Sequence, residues 1–177
     1  ADGLAAGAQL MVYFQLYDDC GNGHRSYDAF GLVRNHAGNQ CWEHPGQSCW
    51  ALDTVNAGRP RPAYEALRVV AKELAGARLA GTGGHPSSYR VVAFAQGSDK
   101  RVTLGWNNTR RDRVISIHAS SPQATLYELD ADGNVRTRTV RAVDGRHSLR
   151  LAAATNRNAH TGGAIAAGRP VLLVEAG

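Results

Sequence analysis

The chain has almost no lysine, few cysteines and no long apolar run. Lys72 and Lys100 are its only lysines, so the net charge of +5 rests on arginine. Those arginines are scattered from Arg25 to Arg169 and interleaved with acids, which describes a solvated surface and argues against a nucleic-acid partner. Arg110-Arg111-Asp112-Arg113 is the one dense group. No apolar run approaches the roughly 20 residues that a membrane-crossing helix needs, and no basic segment followed by a hydrophobic one stands at the amino terminus. The three cysteines, Cys20, Cys41 and Cys49, match no zinc spacing and form no Cys-x-x-Cys pair. No ligand cluster implies a metal or an organic cofactor. What remains, 43% hydrophobic and 20% charged, is an ordinary globular composition long enough for one domain or a small pair.

The organising stretch is residues 10–74. Leu10-Met11-Val12-Tyr13-Phe14-Gln15-Leu16-Tyr17 is a nearly continuous apolar run that stops at Asp18-Asp19. A run without alternation predicts a strand buried on both faces, as in a parallel sheet covered by helices. Phe30-Gly31-Leu32-Val33-Arg34 follows, then a long excursion. Pro62 suits a first helical position, and Tyr64, Leu67, Val70, Ala71 and Leu74 recur at helical spacing, predicting a helix over residues 62–75.

From Gly76 to Ser88 the residues are small and polar, as in a linker or an exposed connection. Beyond it the pattern becomes one of short strands, expected at residues 89–96, 101–107, 113–118, 124–130, 135–142, 147–152 and 170–175. Val102, Leu104 and Trp106 alternate, as do Leu149 and Leu151. Asp132-Gly133-Asn134 and Asp144-Gly145-Arg146 supply tight turns. Such a series predicts an antiparallel β-sandwich. Two domains are therefore expected, at residues 1–80 and 81–177.

An apolar strand ending in Tyr-Asp, then "GLVRN", then "RPAYEAL", resembles the last strand and last helix of the (β/α)8 barrel in clan A retaining glycoside hydrolases such as families 5 and 39. The phrases "VTLGWNN", "ATLYELDADGNV", "SLRLAAATN" and "GRPVLLVEAG" resemble the sandwich that follows that barrel. The resemblance implies a fold of α/β plus all-β class: the end of a TIM barrel followed by an antiparallel β-sandwich. One strand and one helix do not close a barrel of eight, so the expectation is the carboxyl-terminal part of a larger enzyme. Another chain, or the missing amino-terminal barrel segment, is then expected to cover the strand at residues 10–16, whose backbone would otherwise stand unpaired.

The resemblance further implies secretion to the extracellular space or cell envelope and a carbohydrate partner. Substrate in such barrels lies at the carboxyl ends of the strands, which puts Gln15, Tyr17, Asp18 and Asp19 on the rim. Phe14 aligns with the aromatic residue that lies beneath the sugar, although those families often carry Trp there; a plain core role competes. In the long loop after the strand, Trp42, His44 and Trp50 are candidates for sugar contact, since flat rings pack on sugar C–H faces. The competing reading has both tryptophans covering the loop's own small core. In a secreted protein a disulfide clamping this loop is expected, with Cys41–Cys49 or Cys20–Cys41 the simplest choices, against reduced thiols.

Asp18 and Asp19 fail as a catalytic pair. A retaining glycosidase holds two carboxyl groups about 5 to 5.5 Å apart across one bond, whereas neighbours on a strand point to opposite faces. The acid/base and nucleophile of the resembling families are glutamates at the ends of the fourth and seventh strands, expected upstream of Ala1. Glu43 lies in the loop insertion, so no residue of this chain is assigned a catalytic role. Alternatives are a non-catalytic carbohydrate-binding or cell-surface scaffold protein, and a barrel that has lost its carboxylates. His160 reads as a surface residue, and Gly162-Gly163 lacks the strand–loop–helix context of a phosphate cradle.

Overall fold

The computed structural model describes Ala6 and residues 32–33, 59–85, 87–130, 134–154 and 168–177. The chain divides into two compact units, Met11–Val69 and a second made of Ala1–Leu10 with Val70–Gly177. The expected barrel strand at residues 10–16 lies outside the described residues.

In the first unit, Val33 forms an antiparallel bridge with Pro60, and Arg61 N–H donates to Leu32 O at 2.7 Å. That bond anchors the chain just before helix α1, Pro62–Leu74. Pro62 opens the helix as expected, Glu65 sits in its first turn and Lys72 in its last, each favourable to the helix dipole. Glu65 also accepts from Arg68 at 2.9 Å, an exposed pair that contributes a few tenths of a kcal/mol by analogy with other helix pairs, roughly 0.3–0.5. The helix ends at Gly76, whose φ of 70° is the left-handed conformation that closes many helices.

The described residues of the second unit form eight antiparallel strands: β1 Arg78–His85, β2 Tyr89–Gln96, β3 Lys100–Asn107, β4 Arg113–His118, β5 Gln123–Leu129, β6 Val135–Arg141, β7 Arg146–Leu151 and β8 Val171–Ala176. They form a six-stranded sheet in the order β1-β2-β3-β8-β5-β6 and a two-stranded sheet, β4-β7. Among the described residues, a helix followed by two antiparallel sheets agrees with the expected barrel end and sandwich.

Register explains the packing. Val92 pairs with Leu104, Leu104 with Leu172, and Leu172 with Tyr127, so these share one face of the large sheet. Val91, Gly105, Val171 and Leu126 alternate with them onto the other face. There they meet Ile115, Leu149 and Leu151 of the small sheet in a continuous core with Ala124 and Leu173. Leu126, Leu149, Leu151 and Leu173 are fully buried. Truncating any of them to alanine costs about 2–5 kcal/mol. Gly105 permits the close approach, since a Cβ there would lie 3.3 Å from Leu151 Cδ2. The first face is buried too, with Val92, Phe94, Val102, Leu104 and Leu172 all inaccessible, so the central strands are apolar on both sides.

The structure corrects the expected linker. Residues 78–85 form an edge strand, paired with β2 from Arg78↔Ala95 to His85↔Tyr89 through an irregularity between Leu79 and Gly81. Seven of its eight residues are exposed, which explains the misreading: backbone pairing holds the strand and almost no side chain is buried. Gly84 adopts φ +86°, and a Cβ there would come within 2.4 Å of Tyr89 O. The turn at Asp144-Gly145 is as expected, both residues at positive φ between Val143 and Arg146.

Candidate functional site

None of the sequence-predicted site residues falls where the structure can test it. Phe14, Tyr17, Asp18, Trp42 and Trp50, and the cysteines Cys41 and Cys49, lie outside the described residues. Three polar constructions stand out among the rest, all in the second unit.

Two of them are structural. In α1, Glu73 is buried and accepts from the Tyr127 hydroxyl at 3.0 Å and from Lys100 Nζ at 2.8 Å. Burial acts to raise its pKa, but hydrogen bonds from Lys100 and Tyr127 and the charges of Lys100 and Lys72 outweigh it, and the carboxyl titrates below its ordinary range. Burial and the same carboxylate push the Tyr127 hydroxyl up. Elsewhere, Glu175 Oε1 accepts the backbone N–H groups of Ser120 and Ser121 at 2.6 and 3.2 Å and lies 3.3 Å from His147 Nε2. That nitrogen is also 3.1 Å from Ser121 O. With His147 0% and Glu175 1% exposed, the arrangement pins the loop after β4 to the two sheets; no substrate reaches it.

The third is open. A cleft of about 410 Å³ is lined by Asp112, Glu128, Leu129, Asp130, Arg136, Arg150, Ala152, Arg169, Pro170 and Val171. It lies at the end of the sandwich where β3 finishes and β8 begins. A second depression, of about 580 Å³, follows Thr109 to Val114 and shares Asp112 with it.

The loop between the two is positioned by Asn107, which is fully buried at the end of β3. Its Oδ1 accepts from Thr109 N and Thr109 Oγ1, both at 2.9 Å, and its Nδ2 donates to Arg111 O at 2.6 Å. Its backbone O accepts from Gly168 N at 2.7 Å. One residue thus ties the two together, its side chain holding the arginine-bearing loop and its backbone carbonyl the entry of β8. Gly168 is confined in turn: a Cβ there would lie 1.9 Å from Ala152 O.

Charge inside the cleft is largely paired. Asp112 Oδ2 accepts from Arg150 Nε at 3.1 Å and Nη2 at 2.5 Å, while its Oδ1 accepts from Ala153 N at 2.9 Å. Asp130 accepts from Asn134 N at 2.9 Å and Arg136 Nε at 3.1 Å. Glu128 takes Arg138 at 2.8 Å. The Arg150 hydrogen bond, followed by that from Ala153, holds Asp112 below the usual carboxylate range, and the Asn134 backbone does the same for Asp130. Carboxylates held in that state accept hydrogen bonds and do not donate protons, which is the opposite of what a general acid requires. Arg113 stacks over the Tyr89 ring at 5.5 Å. Arg110, Arg111 and Arg169 are exposed. Asp112 and Asp130 thus stand in the cleft as hydrogen-bond acceptors beside exposed guanidinium groups. Among the described residues no group of three or more His, Cys, Asp or Glu could hold a metal ion.

The Arg110–Arg113 group and Asn107 of the "WNN" phrase fall at this site, but in the sequence they read only as solvated surface and as a strand of the sandwich. Arg136, Arg150 and Arg169 are separated from that group in sequence, and only the sheet register brings them together.

No family model matches the sequence, and no curated protein matches it either. Solved structures do. A family 39 glycoside hydrolase from the gut symbiont Bacteroides cellulosilyticus WH2 aligns at 18% identity over 91% of this chain and 25% of its own, with a TM-score of 0.55. The catalytic domain of GH30 xylanase C from Talaromyces cellulolyticus aligns at 20% identity over 85% of this chain and 28% of its own, TM-score 0.52. A GH30 endoxylanase from Clostridium papyrosolvens C71 aligns at 15% identity over 71% and 30%, TM-score 0.51. The fold is glycoside-hydrolase-like. The likeness is distant and spreads over families 30 and 39, so it supports no single family, and the chain spans less than a third of each of these proteins. Among the described residues, no helix is long and apolar enough to cross a membrane.

Proposed function

We propose that this chain is the carboxyl-terminal part of a secreted retaining glycoside hydrolase that acts on a poly- or oligosaccharide. The observation that carries the reading is the order of elements, a helix opening with "RPAYEAL" that leads directly into the described strands of the sandwich, and the likeness of the fold to three glycoside hydrolases at TM-scores of 0.51–0.55 supports it. Residues 1–80 form the end of the barrel and contribute one wall of the cleft, with Phe14, Tyr17, Asp18, Trp42 and Trp50 towards the sugar. A disulfide between Cys41 and Cys49 clamps the loop that carries the tryptophans. Residues 81–177 brace the barrel. The reacting carboxyl pair is supplied by the rest of the protein, one glutamic acid protonating the leaving oxygen and one glutamate forming the glycosyl–enzyme intermediate.

The test is hydrolysis by the complete protein of a panel of β-linked polysaccharides, with the anomeric configuration of the first-formed product followed by proton NMR. Cleavage with retained configuration is expected. Inversion would overturn the mechanism, and absence of cleavage across the panel would overturn the hydrolase. A second reading, a non-catalytic carbohydrate-binding or scaffold protein, is favoured by the ion-paired, depressed carboxylates Asp112 and Asp130 of the open cleft.

A further inference from the structure

We propose that the arginine-bearing end of the sandwich is a binding surface for a carboxylated glycan, separate from any cleavage site. Three observations support it. The cleft's carboxylates are already engaged by Arg150, Arg136 and Arg138, so the acids do not cancel the remaining positive charge. Arg169 on its wall, and Arg110 and Arg111 beside Asp112, are exposed guanidinium groups; Arg169 lies within charge range of Asp112, whose hydrogen bonds go to Arg150 and Ala153. The loop that displays them is fixed by the fully buried Asn107 and by Gly168, so the arginines project from a preorganised base.

The chemistry selects the ligand. A planar guanidinium donates two parallel hydrogen bonds to a carboxylate, as a uronate sugar presents. Sugar hydroxyls supply donors for the remaining lone pairs of Asp112 and Glu128, which a phosphodiester backbone cannot do. Among the described residues, no aromatic side chain lines the cleft, so these offer no platform on which bases would stack. The choice of a glycan over other polyanions rests on the hydrolase reading given above; the anionic character rests on the arginines alone.

Affinity electrophoresis of the full 177-residue chain tests this in gels containing polygalacturonate, neutral xylan or duplex DNA. Retardation by polygalacturonate alone is expected, fading as salt shortens the screening length below about 8 Å. Arg169→Ala and the double change Arg110→Ala with Arg111→Ala should each weaken retention about three- to fivefold per arginine. Their thermal midpoints should match the parent, since the side chains are exposed. Arg78→Ala, an exposed position at the end of the sheet away from the cleft, serves as a charge control and should change nothing. Absence of retardation, equal loss with Arg78→Ala, or equal arginine-dependent retardation by DNA would overturn the proposal. Arginine-dependent glycan binding without hydrolysis by the complete protein supports this inference and overturns the hydrolase; hydrolysis without such binding does the reverse.

Discussion

The two ends of the sandwich treat charge in opposite ways. At the end where β8 finishes, Glu175 and His147 are withdrawn from water, with one carboxylate oxygen of Glu175 holding a loop backbone and facing His147 Nε2. At the end where β8 begins, guanidinium groups stand in solvent around an open cleft, and the buried polar group there, Asn107, serves to hold their loop. Both ends contain a buried polar side chain that accepts backbone N–H groups or donates to a carbonyl. The difference is what that side chain supports: a closed packing junction in one case and an exposed charged display in the other. A buried polar residue is therefore informative about function only through the exposure of the loop it fixes.

The sharpest way to break this contrast is Glu175→Ala. It strands the N–H groups of Ser120 and Ser121 and leaves His147 without its carboxylate, and the stability loss should reach about 3–5 kcal/mol, read as a shift of the urea midpoint. A loss below about 1 kcal/mol would show that the junction is solvated and the contrast false. Next in size, Asn107→Ala should cost about 2 kcal/mol and also weaken polygalacturonate retention, because the loop carrying Arg110 and Arg111 loses its tie. Unchanged retention would mean that the loop holds its shape without Asn107.

Acid titration sharpens the comparison further. Glu73, Asp112 and Asp130 all have folded pKa values below their ordinary ones. Their contributions are therefore fully present above the unfolded carboxylate range and disappear as pH falls through the lower folded values. The thermal midpoint should drop on acidification below about pH 4, and Glu73→Gln should make that drop shallower. An equally steep drop in the variant would assign the acid sensitivity elsewhere. The smallest expected effect is on stability in Arg169→Ala, within about 0.5 kcal/mol, consistent with an exposed side chain whose role is binding.

Much of the sandwich could be read from the chain. Alternation in Val102, Leu104 and Trp106, and in Leu149 and Leu151, located β3 and β7: Leu149 and Leu151 meet the core between the sheets, while Val102 and Leu104 are buried on the other face of the large sheet. The strand at Arg78–His85 escaped notice because an edge strand needs backbone partners more than side chains, and its glycines resemble a linker. The cleft was harder still. Asp112 and Arg150 lie 38 residues apart and meet only because β4 pairs with β7, where Val114 stands opposite Arg150. The buried pair was invisible for a similar reason: Glu175 reads as the polar tail of an apolar strand, and its Ser120 partner is 55 positions away.

The placement of β8 has a consequence for how the molecule is made. It lies between β3 and β5, so a three-stranded part of the hydrogen-bonded layer, β1-β2-β3, and a two-stranded part, β5-β6, have no direct pairing until Val171–Ala176 arrives. During synthesis those flanking portions leave the ribosome first and wait with unsatisfied apolar borders. A nascent chain stalled before Val171 should accordingly be a chaperone client, and the six residues of β8 turn two sticky fragments into one sheet.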